Sequence, residues 1–300
     1  MIPYSATQGY SMLLERLSNQ SLVELDRLLG SVRSESLPVQ REALMDLLPV
    51  LGDQYVGASS LVSAQFFAEL QDMNEVKKPV EPDTLDSLDV ATWRALAGFG
   101  TTERVMEQGG MALMYSLLAG GLVKRLTEAA ADTMVGNAEI QGGMRAQRVP
   151  RPGCCAFCGM LASRFAEYRS VESASQVVGR GVPVGQGRGK GSKGRGRGLR
   201  PRGSRELGED FHDFCRCRIV TVTEKNYVQL QRNADKYYDS YRDASDKVNE
   251  GLTLHKTQTK EPDGTRHNTY SWVNAEGKAR DAKQRTSDVL SSMRQDMGIK

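Results

Sequence analysis

Apolar positions recur at helical spacing through the first 140 residues of the chain. Met12, Leu13, Leu14 and Leu17 are followed by Leu22, Val23, Leu25, Leu28 and Leu29. This periodicity predicts helix across residues 8–30, with a break at Ser18-Asn19 and Ser21 as a new N-cap. A second helical face runs through Leu44, Leu47, Leu48, Val50, Leu51, Tyr55 and Val56, and Leu61, Val62, Phe66, Phe67 and Leu70 extend it. Pro49 falls inside it and reads as a kink rather than a stop. The prolines of Lys77-Lys78-Pro79-Val80-Glu81-Pro82 mark a loop. Val90, Trp93, Leu96 and Phe99 restart a helix, and Val105 to Met134 is the longest apolar-periodic stretch.

Two glycine pairs interrupt that stretch, at 109–110 and 120–121. Each glycine costs a helix about 1 kcal/mol against alanine, so the pairs imply a bend or the close approach of another helix. Met106, Met111 and Met114 read as adaptable core filling, and Trp93 and Trp272 as packing or interface residues. Residues 1–140 are expected to form an all-helical region of antiparallel segments.

The pattern then changes. Residues 145–151 are extended, and Phe157 to Tyr168 reads as a short amphipathic helix. Arg218-Ile219-Val220-Thr221-Val222 is the best strand of the chain. Glu224 to Val248 is a charged helix with Tyr227, Leu230, Tyr237, Tyr238 and Tyr241 on a partly buried face. Residues 251–275 form a polar loop or hairpin around Pro262-Asp263-Gly264, and Ala279 to Met297 a final polar helix. The fold class expected is α+β and mainly α. Three regions follow: helical 1–140, a small α+β module at 141–223, and a helical tail at 224–300.

Composition adds limits. The chain has 300 residues, enough for one large domain or two ordinary ones. Its net charge of +3 is an average over unlike parts, because residues 180–205 hold nine Lys or Arg and no acid. Removing those nine charges leaves the remainder at −6. The opening residues lack a basic and apolar leader, and Met111 to Val123 is too short to span a bilayer. A soluble protein of a reducing cytoplasm, without membrane contact, is the expectation.

All five cysteines, with one of the three histidines, fall in two clusters. The first is Cys154-Cys155-Ala156-Phe157-Cys158, and the second is His212-Asp213-Phe214-Cys215-Arg216-Cys217. Cys155 and Cys158 form C-x-x-C, a spacing that lets two thiolates converge from one turn. His212, Cys215 and Cys217 form H-x-x-C-x-C, so together they exceed the four donors of a tetrahedral Zn²⁺. Cys154 is the spare, since adjacent cysteines rarely reach one ion together. Such a closed site would be structural rather than catalytic. An odd cysteine count argues against a disulfide framework, and the absence of a βαβ context argues against a redox pair. Ordinary buried thiols are the remaining alternative. His255 and His267 lie in polar sequence and read as exposed histidines.

The same residues carry a resemblance. Cys155-Ala156-Phe157-Cys158-Gly159-Met160-Leu161-Ala162-Ser163-Arg164, with Phe211 to Cys217 later, resembles the MuF-like minor capsid proteins of tailed phages, in the form found in phages of actinobacteria. The segments Ala129–Asn137 and Met293–Gly298 are also similar to that group. The resemblance implies a head morphogenesis protein. Its partners would be the portal and other capsid proteins, and it would be packaged inside the head after assembly in the host cytoplasm. The long Gly/Arg insertion between the clusters departs from the family pattern.

That insertion, Gly179 to Arg205, interleaves ten glycines with its basic residues. It cannot bury enough surface to fold alone and is expected as a disordered basic loop. Its G-x-G-x-x-G at Gly189, Gly191 and Gly194 lacks a strand before and a helix after, and no Walker sequence is present. Arg188, Lys190, Lys193, Arg195, Arg197, Arg200 and Arg202 are suited to neutralising phosphates of packaged DNA without sequence preference. A solvated linker or docking on an acidic protein surface fits the same composition. The chain has no H-E-x-x-H and no G-x-S-x-G, and its last eighty residues are polar, so no enzyme is expected.

Overall fold

The computed structural model describes residues 4–84, 88–142, 144–151, 153–163, 179–183, 199–202, 216–260 and 266–298. Among them are seven helices and three antiparallel two-stranded ladders. The protein is mainly α with small sheets, the expected class. It divides into two compact units. One takes the described residues up to Arg151 with those from 179 to Leu230, and the other residues 153–163 with Gln231 onward. Cys154, Cys155 and Cys158 fall in the second unit and Cys217 in the first.

Four helices dominate the first unit: α1 (Tyr4–Val32), α2 (Leu37–Met73), α3 (Val90–Gly100) and α4 (Glu103–Gln141). Helix α2 packs against all three others. Leu25 and Leu29 of α1, Leu44, Leu48 and Tyr55 of α2, Trp93 of α3, and Met114, Leu118 and Leu122 of α4 form one buried core. The methionines fill it as expected: Met114 is buried, and Met106 and Met111 pack against its edge.

Sequence breakers act differently at each site. The break expected at Ser18-Asn19 does not occur, and α1 is continuous. Ser18 Oγ donates to the Leu14 carbonyl and Ser21 Oγ to the Ser18 carbonyl, so both hydroxyls are satisfied within the helix. Helix α2 likewise runs through Pro49. A proline withholds an N–H from the carbonyl four residues back, here that of Met45. Arg94 Nε donates to that oxygen at 3.4 Å, and the same guanidinium pairs with Asp46 at 3.3 Å.

The glycine pairs divide the two roles foreseen for them. Gly110 leaves helical geometry (φ 58°, ψ −147°) and kinks α4. At Gly121 a Cβ would stand 2.6 Å from Leu96, so glycine permits the close approach of α3. Gly52 does the same for Trp93, whose indole would lie 2.4 Å from a Cβ. The buried indole N–H donates to Asp53 Oδ1 at 2.9 Å.

Side-chain amides secure the loop between α2 and α3. Gln71 exchanges two 2.8 Å hydrogen bonds with the backbone of Val80. Asn137 accepts from Asp83 N at 2.7 Å and donates to its carbonyl at 2.8 Å.

Strand β1 (Arg145–Val149) pairs with the strand expected at Arg218–Val222. Between them in sequence, β2 (Gly179–Pro183) and β3 (Leu199–Arg202) form a short ladder, so β4 is the label of Arg218–Val222. Helix α4 packs on both β1 and β4, with Thr221 Oγ1 3.1 Å from the Met134 sulfur.

The second unit contains α5 (Ala156–Ala162), most of α6 (Tyr227–Val248), and the ribbon β5 (Thr253–Lys260) and β6 (Arg266–Val273). It ends with α7 (Ala282–Asp296). The hairpin falls where the polar 251–275 stretch predicted it, though its Pro262 turn lies outside the described residues. Polar contacts secure this unit. Arg280 donates to the Val248 carbonyl at 2.7 Å and pairs with Asp288 at 2.6 Å. Arg285 donates to Asn249 Oδ1 at 2.7 Å, and Lys247 pairs with Asp296 at 2.8 Å.

Candidate metal centre

The β1–β4 register places Val149 opposite Arg218. The segment leading to the first cysteine cluster and the one leaving the second therefore meet at one end of the ladder. Glu15 of α1 reinforces this meeting, with Oε1 3.2 Å from Arg216 and 3.8 Å from Arg151. Sequence reasoning missed Glu15, because nothing in a one-dimensional pattern links position 15 to arginines 136 and 201 residues away. Arg216 is mostly buried, so its pairing is worth more than that of exposed Arg151.

Cys217 is buried just ahead of β4. In the other cluster, Gly153 adopts φ +71°, a left-handed turn that favours glycine. Cys155 then caps α5, its sulfur accepting from the Cys158 N–H at 3.5 Å. Cys158 is buried in the first helical turn, as the sequence implied. The C-x-x-C spacing thus places both sulfur-bearing residues at one helix start. Cys154 is also buried, with its sulfur 3.6 Å from Tyr237 Oη. None of the four described cysteines is in a disulfide.

Among the described residues no group of three or more His, Cys, Asp or Glu is gathered as a metal site. His212 and Cys215 lie outside the described residues. The donor chemistry fits Zn²⁺ at the C-x-x-C turn, which supplies two of the four ligands a tetrahedral site needs. Of the basic residues, Arg188, Lys190, Lys193, Arg195 and Arg197 also lie outside the described residues, while Arg200 and Arg202 belong to β3. The ends of the Gly/Arg run, expected as disordered loop, pair through Val182↔Arg200 and Gly179↔Arg202.

Burial raises two phenols of the first unit, those of Tyr10 and Tyr55. Tyr10 stacks on Phe66 with ring centroids 4.3 Å apart and shares a 2.9 Å hydrogen bond with Ser63. Loss of water raises its phenol from 10.0 to about 12, against the smaller opposing pull of Ser63 and the Arg218 charge.

The chain matches the family model described as VG15 protein over residues 1–244. That span holds α1 to α4, both cysteine clusters, the Gly/Arg run and nearly all of α6. The chain therefore belongs to the VG15 protein family, and it is a phage protein. No curated protein and no solved structure matches it. No helix among the described residues is long and apolar enough to cross a membrane.

Proposed function

We propose that this phage protein is a MuF-like minor capsid protein acting in head morphogenesis, joined to the portal during assembly and enclosed in the virion. Its work is structural, and it carries no catalytic centre. The observation that supports this reading is a second apolar face on α2, separate from the one turned to the core. Val39, Ala43, Leu47, Val50, Gln54, Gly57 and Leu61 follow one another at intervals of three or four residues, with no charge among them. Leu47 is 46% exposed, Val50 68% and Leu61 52%. A helix inside a self-sufficient bundle needs one apolar stripe; a second one at this spacing suits another helix. Gly57 leaves open space for its backbone to approach, since a Cβ there would meet nothing within 4 Å.

In this proposal Cys155, Cys158, His212, Cys215 and Cys217 hold a structural Zn²⁺ that fixes the segments around β1 and β4. The Gly/Arg run neutralises phosphates of packaged DNA. The test is co-expression with the portal of the same phage. The wild-type chain is expected to co-purify with it, and Leu47→Asp/Val50→Asp to lose at least tenfold in capture while keeping its melting temperature. Equal capture of both proteins would remove α2 from the assembly surface. No capture of either would favour a nucleic-acid-binding protein unconnected with the head.

A further inference from the structure

The β5–β6 ribbon lies beyond the matched residues and has a chemistry of its own. Its strands pair over eight positions, from Thr253↔Val273 to Lys260↔Arg266, and every residue of β5 is exposed. Two-stranded ribbons are marginal in water unless a face is covered. This one is anchored at its base, where Val273 is buried and Arg285 lies 5.4 Å from the centre of the Trp272 ring. All eight residues of β5 are exposed beyond that anchor on β6.

Strand alternation sorts the exposed residues. Lys256, Gln258 and Lys260 share one face, joined across the ladder by Tyr270 opposite Lys256 and Arg266 opposite Lys260. The other face of β5 carries Thr253, His255, Thr257 and Thr259. No Asp or Glu occupies any of the sixteen ladder positions. Glu261 and Asp263 fall between the two strands in sequence and lie outside the described residues. Like charges directly opposite each other weaken a ladder, so Lys260↔Arg266 does not serve the ribbon's own stability. The pair suits an external anion.

We propose that this face is a binding arm for duplex DNA. A two-stranded ribbon fits the B-form major groove, which is about 12 Å wide. Four residues of extended strand separate Lys256 from Lys260, or about 13 Å at ~3.3 Å per residue. Two cations at that spacing reach the phosphates on the two walls of the groove. Gln258, midway between them, then faces base edges, where its amide both donates and accepts. Arg266 strengthens binding at the Lys260 end. The arm uses none of the residues of the Gly/Arg run, so the two DNA-binding elements are separable.

The test is fluorescence anisotropy of full-length protein on a 30-base-pair DNA duplex across a salt series. A parallel series uses a chain lacking residues 182–203. Lys256→Gln/Lys260→Gln/Arg266→Gln is expected to weaken binding at least tenfold in both backgrounds. It should reduce the slope of log affinity against log salt by about 2.7, or ~0.9 for each phosphate that is no longer neutralised. The charge-preserving variant Lys256→Arg/Lys260→Arg/Arg266→Lys should retain affinity, which separates charge from folding. A duplex RNA of the same sequence should bind more weakly, since its major groove is too narrow for the ribbon. Unchanged affinity and slope in the neutralised variant would overturn the proposal. So would its loss of binding reproduced in full by the charge-preserving variant, or DNA binding that disappears entirely with residues 182–203.

Discussion

The α1–α4 bundle and the β5–β6 ribbon are specified in opposite ways. In the bundle, each helix turns an apolar face inward, and Trp93 is enclosed so tightly that only glycine fits at position 52. In the ribbon, the ladder carries eight positions of β5 that are all exposed, on both of its faces. Substitutions in the bundle should therefore register as stability, and those in the ribbon as binding. Helix α2 belongs to both descriptions, with one face in the core and another apolar face exposed.

The largest effect expected concerns neither region but the cysteines. Metal analysis of protein prepared without chelator should give about one Zn²⁺ per chain, and Cys155→Ser/Cys158→Ser should hold none. Structural zinc can contribute on the order of 10 kcal/mol to a local fold. Hydrogen exchange should therefore accelerate around β1, α5 and β4 in the variant, while the α2–α3 core stays protected. Metal-free wild-type protein with the same exchange pattern as the variant would remove zinc from the account.

Within the comparison itself, Trp93→Ala should cost about 3–5 kcal/mol in denaturant unfolding, from reduced burial and the cavity left behind. Tyr270→Ala on the ribbon should stay within about 0.5 kcal/mol, as exposed substitutions do. Comparable losses at the two sites would break the distinction.

Alkaline titration sharpens it further. A phenol whose folded pKa is raised is held protonated by the fold. Its contribution is complete below pH 10 and is lost as pH climbs toward about 12. Two units correspond to roughly 3 kcal/mol. Tyr10→Phe should therefore lose less stability than wild type over that window, after a cost at neutral pH of about 1 kcal/mol for the Ser63 hydrogen bond. Identical pH profiles would show that Tyr10 ionises freely.

The smallest stability effect is expected at Val50→Asp, within about 0.5 kcal/mol, because the residue is already in solvent. Loss of portal capture without a change in melting would mark α2's outer stripe as an interface. A drop of several kcal/mol would instead make it part of the core.

Much of this was readable in one dimension. Helical spacing identified α2, α3 and α4, β-branched residues identified β4, and the Pro-rich stretch identified the loop at 77–82. Local rules failed at Ser18, where a hydroxyl bonds back to Leu14 and leaves the helix whole. They could not foresee that Arg94 would occupy the carbonyl freed by Pro49, because that contact depends on tertiary packing. Of the candidate site, the C-x-x-C turn was legible, since its geometry is local. Glu15 was not, and neither was the division of the clusters between two compact units. Periodicity also located α2's apolar residues without separating the two faces, which differ in what covers them rather than in hydrophobicity.

The central claim, that this phage protein is a minor component of the head, is tested most directly by quantitative mass spectrometry of density-purified virions. Peptides from the α1–α4 region and from the ribbon are expected at a small fraction of the major capsid protein's abundance. They should be protected from added protease until the heads are opened. Absence of the protein from intact particles, with abundance in the infected-cell lysate, would contradict it.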